Sequence, residues 1–372
     1  TAWVFTGNIR LGKQSGLRPA SRHVLFNGPI ESRLLELPIA TQPVAGTAGP
    51  GWRRASPEAK ALTTRLTKNL AQIRPWAKRF GTSCYRIYDA DVPVYNLAID
   101  WYEGAVRIEE YARPRKVRVA DAERRLRDAL HVVPDLLGVT AEQVTLRVRQ
   151  RRGANQRHDR RENAGRTRVV REGGLRFEVN LEDYLDTGLF LDDRLLRHRI
   201  QQRAHRRQFL NLFAYTCTAS VAAAAGGALA TTSIDLSKRH LEWGRRNFRL
   251  NGIDPKAHQL VRAEASQWLS CSRDRYDLVL VSPPTHSGSR AMQTGFDIQR
   301  DHVTLFERVC DRLAPGGELI FATNLRSFEL DTVVGTRCSI EEITSEVTPL
   351  DFERRPRLRA WSLKLRGGRP LQ

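Results

Sequence analysis

From about residue 208 onward, short apolar runs recur at near-regular intervals: QFLNLF, TTSIDL, HQLVRA, YDLVLV and ELIFAT, with helix-like stretches between them. Strands alternating with helices predict βαβ units and a parallel, doubly wound sheet. The helix expected over 237–251 opens on Ser237, a good N-cap, and closes on Asn251-Gly252, a good C-cap. The stretch 313-LAPGGELIFAT-323 reads as a helix end, a glycine turn and a strand.

The preceding residues follow a different pattern. Leu62, Leu66, Leu70, Ile73 and Trp76 recur at helical spacing and predict a helix over about 57–80. Strands are expected near 84–89, 95–102, 105–111 and 144–149, with a helix over about 119–136. After 171, RFEVNLEDYLDTGLFLDDRLLRHRI returns to a strand, a turn and a helix. The expected fold is α/β: a Rossmann-like sheet over 183–372, preceded by a small α+β domain over 57–182. Residues 1–40 carry a turn at Asn27-Gly28-Pro29 followed by a short apolar strand, as in the closing piece of another domain. Residues 41–56, rich in Pro, Gly, Ala and Thr, read as a linker.

Charge narrows the choice of partner. Sixty-one Lys and Arg against 41 Asp and Glu give a net charge of +20, nearly all of it from arginine. Such an excess favours a polyanion, because each neutralised phosphate releases condensed counterions. The arginines crowd into 147-RVRQRRGANQRHDRRENAGRTRVVR-171, read as a basic loop. A solvated charge run is the ordinary meaning of such a stretch. Its length and scarcity of acidic residues point instead to RNA, with Arg149, Arg151, Arg152, Arg157, Arg160 and Arg161 as candidate contacts. No apolar run is long enough for a membrane span, and no basic amphipathic helix suggests a membrane surface. Five scattered cysteines form no C-x-x-C pair, so neither a metal site nor a disulfide framework is expected, and a reducing cytoplasm fits.

In open parallel sheets, ligands sit outside the carboxyl ends of the strands. Four such ends carry suitable groups. The first leads into 213-FAYTCTASV-221; the second ends at Asp235-Leu236, where a carboxylate can accept both ribose hydroxyls; the third leads to Glu264; the fourth ends in Ser282-Pro283-Pro284-Thr285. The first turn lacks G-x-G-x-x-G and is a poor pyrophosphate cradle. A nucleoside cofactor without phosphates, S-adenosylmethionine, fits better than a nicotinamide dinucleotide. Two prolines end the fourth strand, since neither donates to the ladder and each fixes φ. They hold backbone carbonyls in a rigid hook that can place a planar group against a methyl donor.

The run NLFAYTCTASV, TTSIDLSKRHLEWGRRNFRLNG, SPPT, FDIQRDH, LAPGG and TNLRSFELD, together with CYRIYDADVPVYNLAID and NLEDYLDTGLFLDDR, resembles the K half of the bacterial K/L-type 23S rRNA methyltransferases. The resemblance covers about residues 60–331. It implies transfer of a methyl group from S-adenosylmethionine to guanine N7 of 23S rRNA, in the cytoplasm during ribosome biogenesis. Residues 1–38 resemble the tail of the L half, which methylates guanine N2. With Thr1 first and Met292 the only methionine, the chain is expected to be the C-terminal part of such a fusion, with an L-type domain as its partner. By position, Phe213, Tyr215 and Thr216 would line the cofactor turn, Asp235 and Leu236 the ribose, and Glu264 the adenosine. Asp192 and Arg194 would close the pocket, and Ser282, Pro283 and Pro284 would form the catalytic hook.

The sequence departs from the family in places. It has Ser282 where the family has Asp, Cys217 where the family has Gly, and Glu264 where the family has Asp; Asp351-Phe352 is kept but a later His is not. Guanine N7 exposes a lone pair and loses no proton on methylation, so an alcohol at 282 suits N7 better than N2 chemistry. Glycine at 217 would permit close approach to the cofactor, and a side chain there at positive φ costs about 1 kcal/mol. The competing reading is a degenerate methyltransferase fold that binds rRNA or supports the L half. A cysteine nucleophile is excluded because none follows the Pro-Pro. His302, Trp243 and Trp268 read as packing residues.

Overall fold

A computed structural model describes the backbone of 2–6, 21–27 and 30–37, and residues 56, 58–111, 117–148, 166–184, 186–287 and 296–366. The chain divides into two compact units, Thr1–Arg54 and Ala55–Gln372. In the first, β1 (Ala2–Thr6), β2 (Ser21–Asn27) and β3 (Ile30–Leu37) form an antiparallel sheet with β3 in the middle.

The second unit opens with α1 (Ala59–Phe80), whose Leu62, Leu66, Leu70 and Ile73 are buried as the helical spacing requires. It ends at Gly81, which adopts φ 74° and returns its N–H to the last turn. Strands β4 (Cys84–Asp89), β5 (Leu97–Tyr102), β6 (Ala105–Glu110) and β7 (Val144–Val148) form a four-stranded sheet in chain order. Helix α2 (Val119–Leu137) supplies the crossover that lets β6 and β7 run parallel.

Next come β8 (Thr167–Glu172) and β9 (Leu175–Asn180), a hairpin joined at Gly173-Gly174, both at positive φ. Here the expected basic loop of 147–171 is corrected at both ends. Arg147 and Val148 finish β7, and 167–171 belong to β8, where Val170 is buried. Arg149, Arg151, Arg152, Arg157, Arg160 and Arg161 lie outside the described residues.

Helix α3 (Arg194–Arg203) leads into the large sheet. Its strands are β10 (Gln208–Leu212), β11 (Ala230–Asp235), β12 (His258–Arg262), β13 (Tyr276–Val281), β16 (Leu313–Thr323), β17 (Cys338–Glu342) and β18 (Arg359–Leu365). Helices α4 (Thr218–Ala225), α5 (Lys238–Leu250), α6 (Ala265–Cys271) and α7 (Ile298–Cys310) connect them. Two-residue strands β14 (His286–Ser287) and β15 (Phe296–Asp297) pair with each other before α7. The order across the large sheet is β12-β11-β10-β13-β16-β18-β17, with β18 antiparallel to its neighbours. The chain thus reverses its direction of winding between β10 and β13, the switch point at which doubly wound sheets open a crevice. The segment 313–323 is continuous strand rather than helix end, turn and strand; its glycine turn survives as a bulge, with Gly316 at φ 75°.

Candidate active site

Strand register brings the predicted positions together. Val261, Ile234, Leu212, Val281 and Phe321 form one row across β12, β11, β10, β13 and β16. One residue beyond that row stand Asp235, Phe213 and Ser282, on adjacent strands about 4.8 Å apart. Residues distant in sequence therefore line a single edge of the sheet, on either side of the switch point.

The turn after β10 has an unusual backbone. Phe213, Tyr215 and Cys217 all have positive φ, at 58°, 49° and 58°. These alternating left-handed residues aim the Tyr215 N–H at Asp235, whose Oδ2 accepts it at 2.8 Å. The other carboxylate oxygen accepts the Ser237 N–H at 2.8 Å and lies 3.3 Å from Nδ1 of His240. Asp235 is thereby fixed in orientation while remaining half-buried and open to a ligand. His240, which the sequence did not single out, sits one turn into α5 and packs edge-on against Tyr215.

The junction before α3 is strapped onto this turn. Tyr215 Oη accepts the Gly188 N–H at 3.1 Å, and Thr216 Oγ1 donates to the Gly188 carbonyl at 2.6 Å. Gly188 has φ 92°, and a β-carbon on it would stand 2.2 Å from the Trp243 ring. Thr216 is fully buried, so it shapes the turn from beneath and its side chain reaches no ligand. The ring of Phe190 lies 5.0 Å from that of Tyr215, and the ring of Phe213 lies 5.5 Å from that of Phe296. Leu236 is half-buried, and its carbonyl accepts from Arg262.

Glu264 caps α6, its two oxygens accepting the N–H groups of Ser266 at 3.0 Å and Gln267 at 2.6 Å. At the hook, Ser282 is half-buried, Pro283 buried and Pro284 exposed. Asp192 is buried, on the wall of a cavity of about 500 Å³.

Arg194 has a different place from the one expected. It has no exposed surface, and its guanidinium donates to Glu172 at 3.2 Å, to both oxygens of Asp351 at 2.9 and 3.1 Å, and to the Cys84 carbonyl at 2.7 Å. A side chain with no surface cannot close a cofactor pocket; Arg194 instead ties β4, β8 and the residues before β18 together. Burial alone would raise the Glu172 carboxyl, but Arg197 and Arg194 hold it below its usual range.

Burial pushes the thiols of Cys84 and Cys217 up to about 12, which keeps both protonated and unreactive. His302 is structural: Nε2 accepts the Asp331 N–H at 3.0 Å, which leaves Nδ1 to donate to the Gln299 carbonyl at 2.9 Å. Trp243 is buried and donates to the Glu178 carbonyl, so it too packs. Among the described residues no cluster of His, Cys, Asp or Glu could hold a metal, and no helix is long and apolar enough to cross a membrane.

Residues 86–359 match the profile of a family described as S-adenosylmethionine-dependent methyltransferases. The chain belongs to that family. In open parallel sheets the crevice outside the strand ends at the switch point is where a ligand sits, and the turn after β10, Asp235 and the hook border it here. The chain is 43% identical, over 98% of its length, to the ribosomal RNA large subunit methyltransferase K/L of Pseudomonas putida (strain W619), and 45% identical over 98% to that of Pseudomonas aeruginosa. It spans about half the length of these curated relatives, 52% in each case. Among solved structures it is similar to SMU.776, described as a methyltransferase complexed with SAH, at 22% identity and TM-score 0.64 over 91% of this chain and 86% of that one. A SAM-dependent methyltransferase from Streptococcus mutans gives 21% identity and TM-score 0.63 with the same coverage. These two likenesses establish the methyltransferase fold.

Proposed function

We propose that this chain methylates guanine N7 of large-subunit ribosomal RNA, acting as the K-type part of a K/L enzyme. The observation that carries the reading is the alignment of Asp235, Phe213 and Ser282 just beyond one row of the sheet, together with the similarity to K/L relatives. The net charge of +20 suits an RNA substrate.

The residues present fit S-adenosylmethionine. Asp235 is held by backbone N–H groups yet keeps lone pairs for the ribose hydroxyls, with Leu236 beside it. Glu264 borders the adenosine side, Phe213 and Tyr215 form the turn, and no phosphate cradle is needed. When bound, the cofactor supplies an electrophilic methyl group on its sulfonium. Pro283 and Pro284 stiffen the backbone at Ser282, so that its groups position the base without reorganisation. Guanine N7 presents a lone pair and no proton, so no side chain has to act as a base. That is why an alcohol at 282 is compatible with turnover. Asp192, expected to close the cofactor pocket, lines the cavity beside Phe190, whose ring meets Tyr215 of the cofactor turn.

The arginines Arg149, Arg151, Arg152, Arg157, Arg160 and Arg161 hold the rRNA backbone in this reading. The division into a 57–182 RNA-binding domain with a 183–372 catalytic domain, the L-type partner preceding both, and action in the cytoplasm belong to the same proposal. Space for Cys217 favours activity over a degenerate fold: its thiol rests against Gly244, so the altered turn is packed rather than collapsed.

The test is transfer of labelled methyl from S-adenosylmethionine to 23S rRNA lacking the modification, with Ser282→Asp alongside. Label at guanine N7 from the natural chain supports the reading. Silence from both proteins, with RNA still bound, sinks it in favour of a binding module.

A further inference from the structure

The cavity that holds Asp192 lies between the four-stranded sheet and the carboxyl edge of the large sheet. Its walls come from β4, β5 and β6, from the junction 186–192, from Asn324 and Arg326 just beyond β16, and from 352–357 before β18. One wall reaches the cofactor turn. Phe190, on the wall, has its ring 5.0 Å from Tyr215 of the cofactor turn. On the opposite side, Asn324 follows directly on the carboxyl end of β16, the strand paired with β13, which leads into the hook. A cavity of about 500 Å³ accommodates a nucleotide.

Five carboxylates line it: Asp89, Asp100, Glu109, Asp186 and Asp192. Asp89 and Asp100 are bound to Arg86, with Asp89 also bound to Arg357 and Tyr111. Glu109 faces Arg107, and Asp186 has an interaction of its own. Among the described residues Asp192 alone of the five has neither a hydrogen bond nor an ion pair, although only 8% of its surface is exposed. Its oxygens are not sealed in the core, so with the rest of the side chain buried the carboxylate opens into the cavity with its lone pairs available. Arg326 is exposed at the rim and likewise has no partner among the described residues.

We propose that this cavity receives a guanine nucleotide of the RNA, with Asp192 accepting from the base N1–H and N2 amino group and Arg326 meeting the phosphate. The inference rests on the proposed function and deepens it by assigning the base specificity. The two adjacent donors on the guanine edge match the two oxygens of one carboxylate. Adenine turns an acceptor, N1, toward the same carboxylate and is repelled. Asp192 thus supplies the charged acceptor that Ser282 lacks. Phe190, 37% exposed, offers its free face for stacking.

The experiment titrates guanosine, inosine and adenosine 5′-monophosphates into the full chain, wild type and Asp192→Asn, by tryptophan fluorescence in the presence of S-adenosylhomocysteine. Expected is at least a tenfold preference for the guanine nucleotide over adenine, with inosine, which lacks the N2 amino group, in between. Asp192→Asn should lose that preference while S-adenosylhomocysteine affinity stays within twofold, which also shows that the variant folds. Arg326→Gln should weaken the monophosphate but not guanosine. Equal binding of the three bases, no binding of any, or an unchanged preference in Asp192→Asn overturns the proposal. So does a tenfold loss of S-adenosylhomocysteine affinity, which would return Asp192 to the cofactor. Guanine preference without methyl transfer to RNA would uphold the pocket and sink the functional reading; transfer without guanine preference would do the reverse.

Discussion

The thiol of Cys217 fills the space that Gly244 leaves open: a β-carbon on Gly244 would stand 2.6 Å from Sγ and 3.0 Å from the Cys217 β-carbon. The pair joins the cofactor turn to α5, and each residue limits the other. Gly244→Ala should therefore overpack the contact and cost about 1–3 kcal/mol in urea unfolding. Cys217→Gly relieves a left-handed residue at φ 58°, a gain of about 1 kcal/mol set against the lost packing of a buried thiol. The double variant should recover most of the Gly244→Ala loss, because the alanine methyl then occupies the vacated space. Simple additivity of the two changes would show that the contact is not the source of the strain.

Arg194 makes a second discriminating variant. Its guanidinium is the common partner of Glu172, Asp351 and the Cys84 carbonyl, all buried. Arg194→Ala takes the charged partner from Asp351, whereas Glu172 keeps Arg197, and should destabilise by about 3–5 kcal/mol. Arg194→Met paired with Asp351→Asn should cost less, since fewer buried charges lose their partner. At low temperature, where the variants remain folded, S-adenosylhomocysteine affinity should change less than threefold. A large loss of that affinity at unchanged stability would restore Arg194 to the cofactor pocket.

That contrast shows what the sequence could and could not say. Local signals were readable: the Leu62–Ile73 spacing, the Ser237 cap, the strand ends at Asp235 and Ser282. Each depends on residues within a few positions of one another. Arg194 depends on Glu172, 22 residues earlier, and Asp351, 157 residues later, and nothing in FLDDR announces either. Strand β8 was hidden because TRVVRE carries too few apolar residues to stand out from the arginines around it. The Gly173-Gly174 pair beside it was an available hairpin signal. Asn324 and Arg326 follow the fifth strand end directly, so the rule that located the other four ends would have found them too. Phe190 had no such marker; only the tilted contact of its ring with Tyr215 gives it a place.

The Asp192-Asp193 pair predicts a pH dependence. Burial first, and the neighbouring Asp192 second, push the Asp193 carboxyl up to about 7. In the unfolded chain it titrates near the ordinary value of about 4. Between these values the folded chain holds a proton that the unfolded chain releases, so stability falls as pH rises through this window. The contribution is fully present below about pH 4 and lost above about pH 7. Asp193→Asn should flatten the urea-midpoint profile over that range and raise stability at pH 8 by about 1–3 kcal/mol. A parallel profile for wild type and variant would place the titration elsewhere.

Asp235 is expected to couple cofactor binding to the shape of the turn. Its carboxylate accepts N–H groups from Tyr215 and Ser237 and lies beside His240. In Asp235→Asn the amide keeps one acceptor, but its NH2 then faces a backbone N–H that it cannot satisfy. Loss of a charged acceptor should cost about 1.5–3 kcal/mol. It should also lower S-adenosylhomocysteine affinity at least tenfold, since the same oxygens are proposed to meet the ribose. Asp235→Glu keeps the charge but adds a methylene, so the turn and the ribose cannot both be reached from one conformation. It should bind the cofactor more weakly than wild type while retaining more stability than Asp235→Asn. Calorimetric titration and urea unfolding of the two variants separate these effects. If Asp235→Asn lost stability but kept full cofactor affinity, the carboxylate would serve only to hold the turn, and the ribose would have to be held elsewhere along the sheet edge.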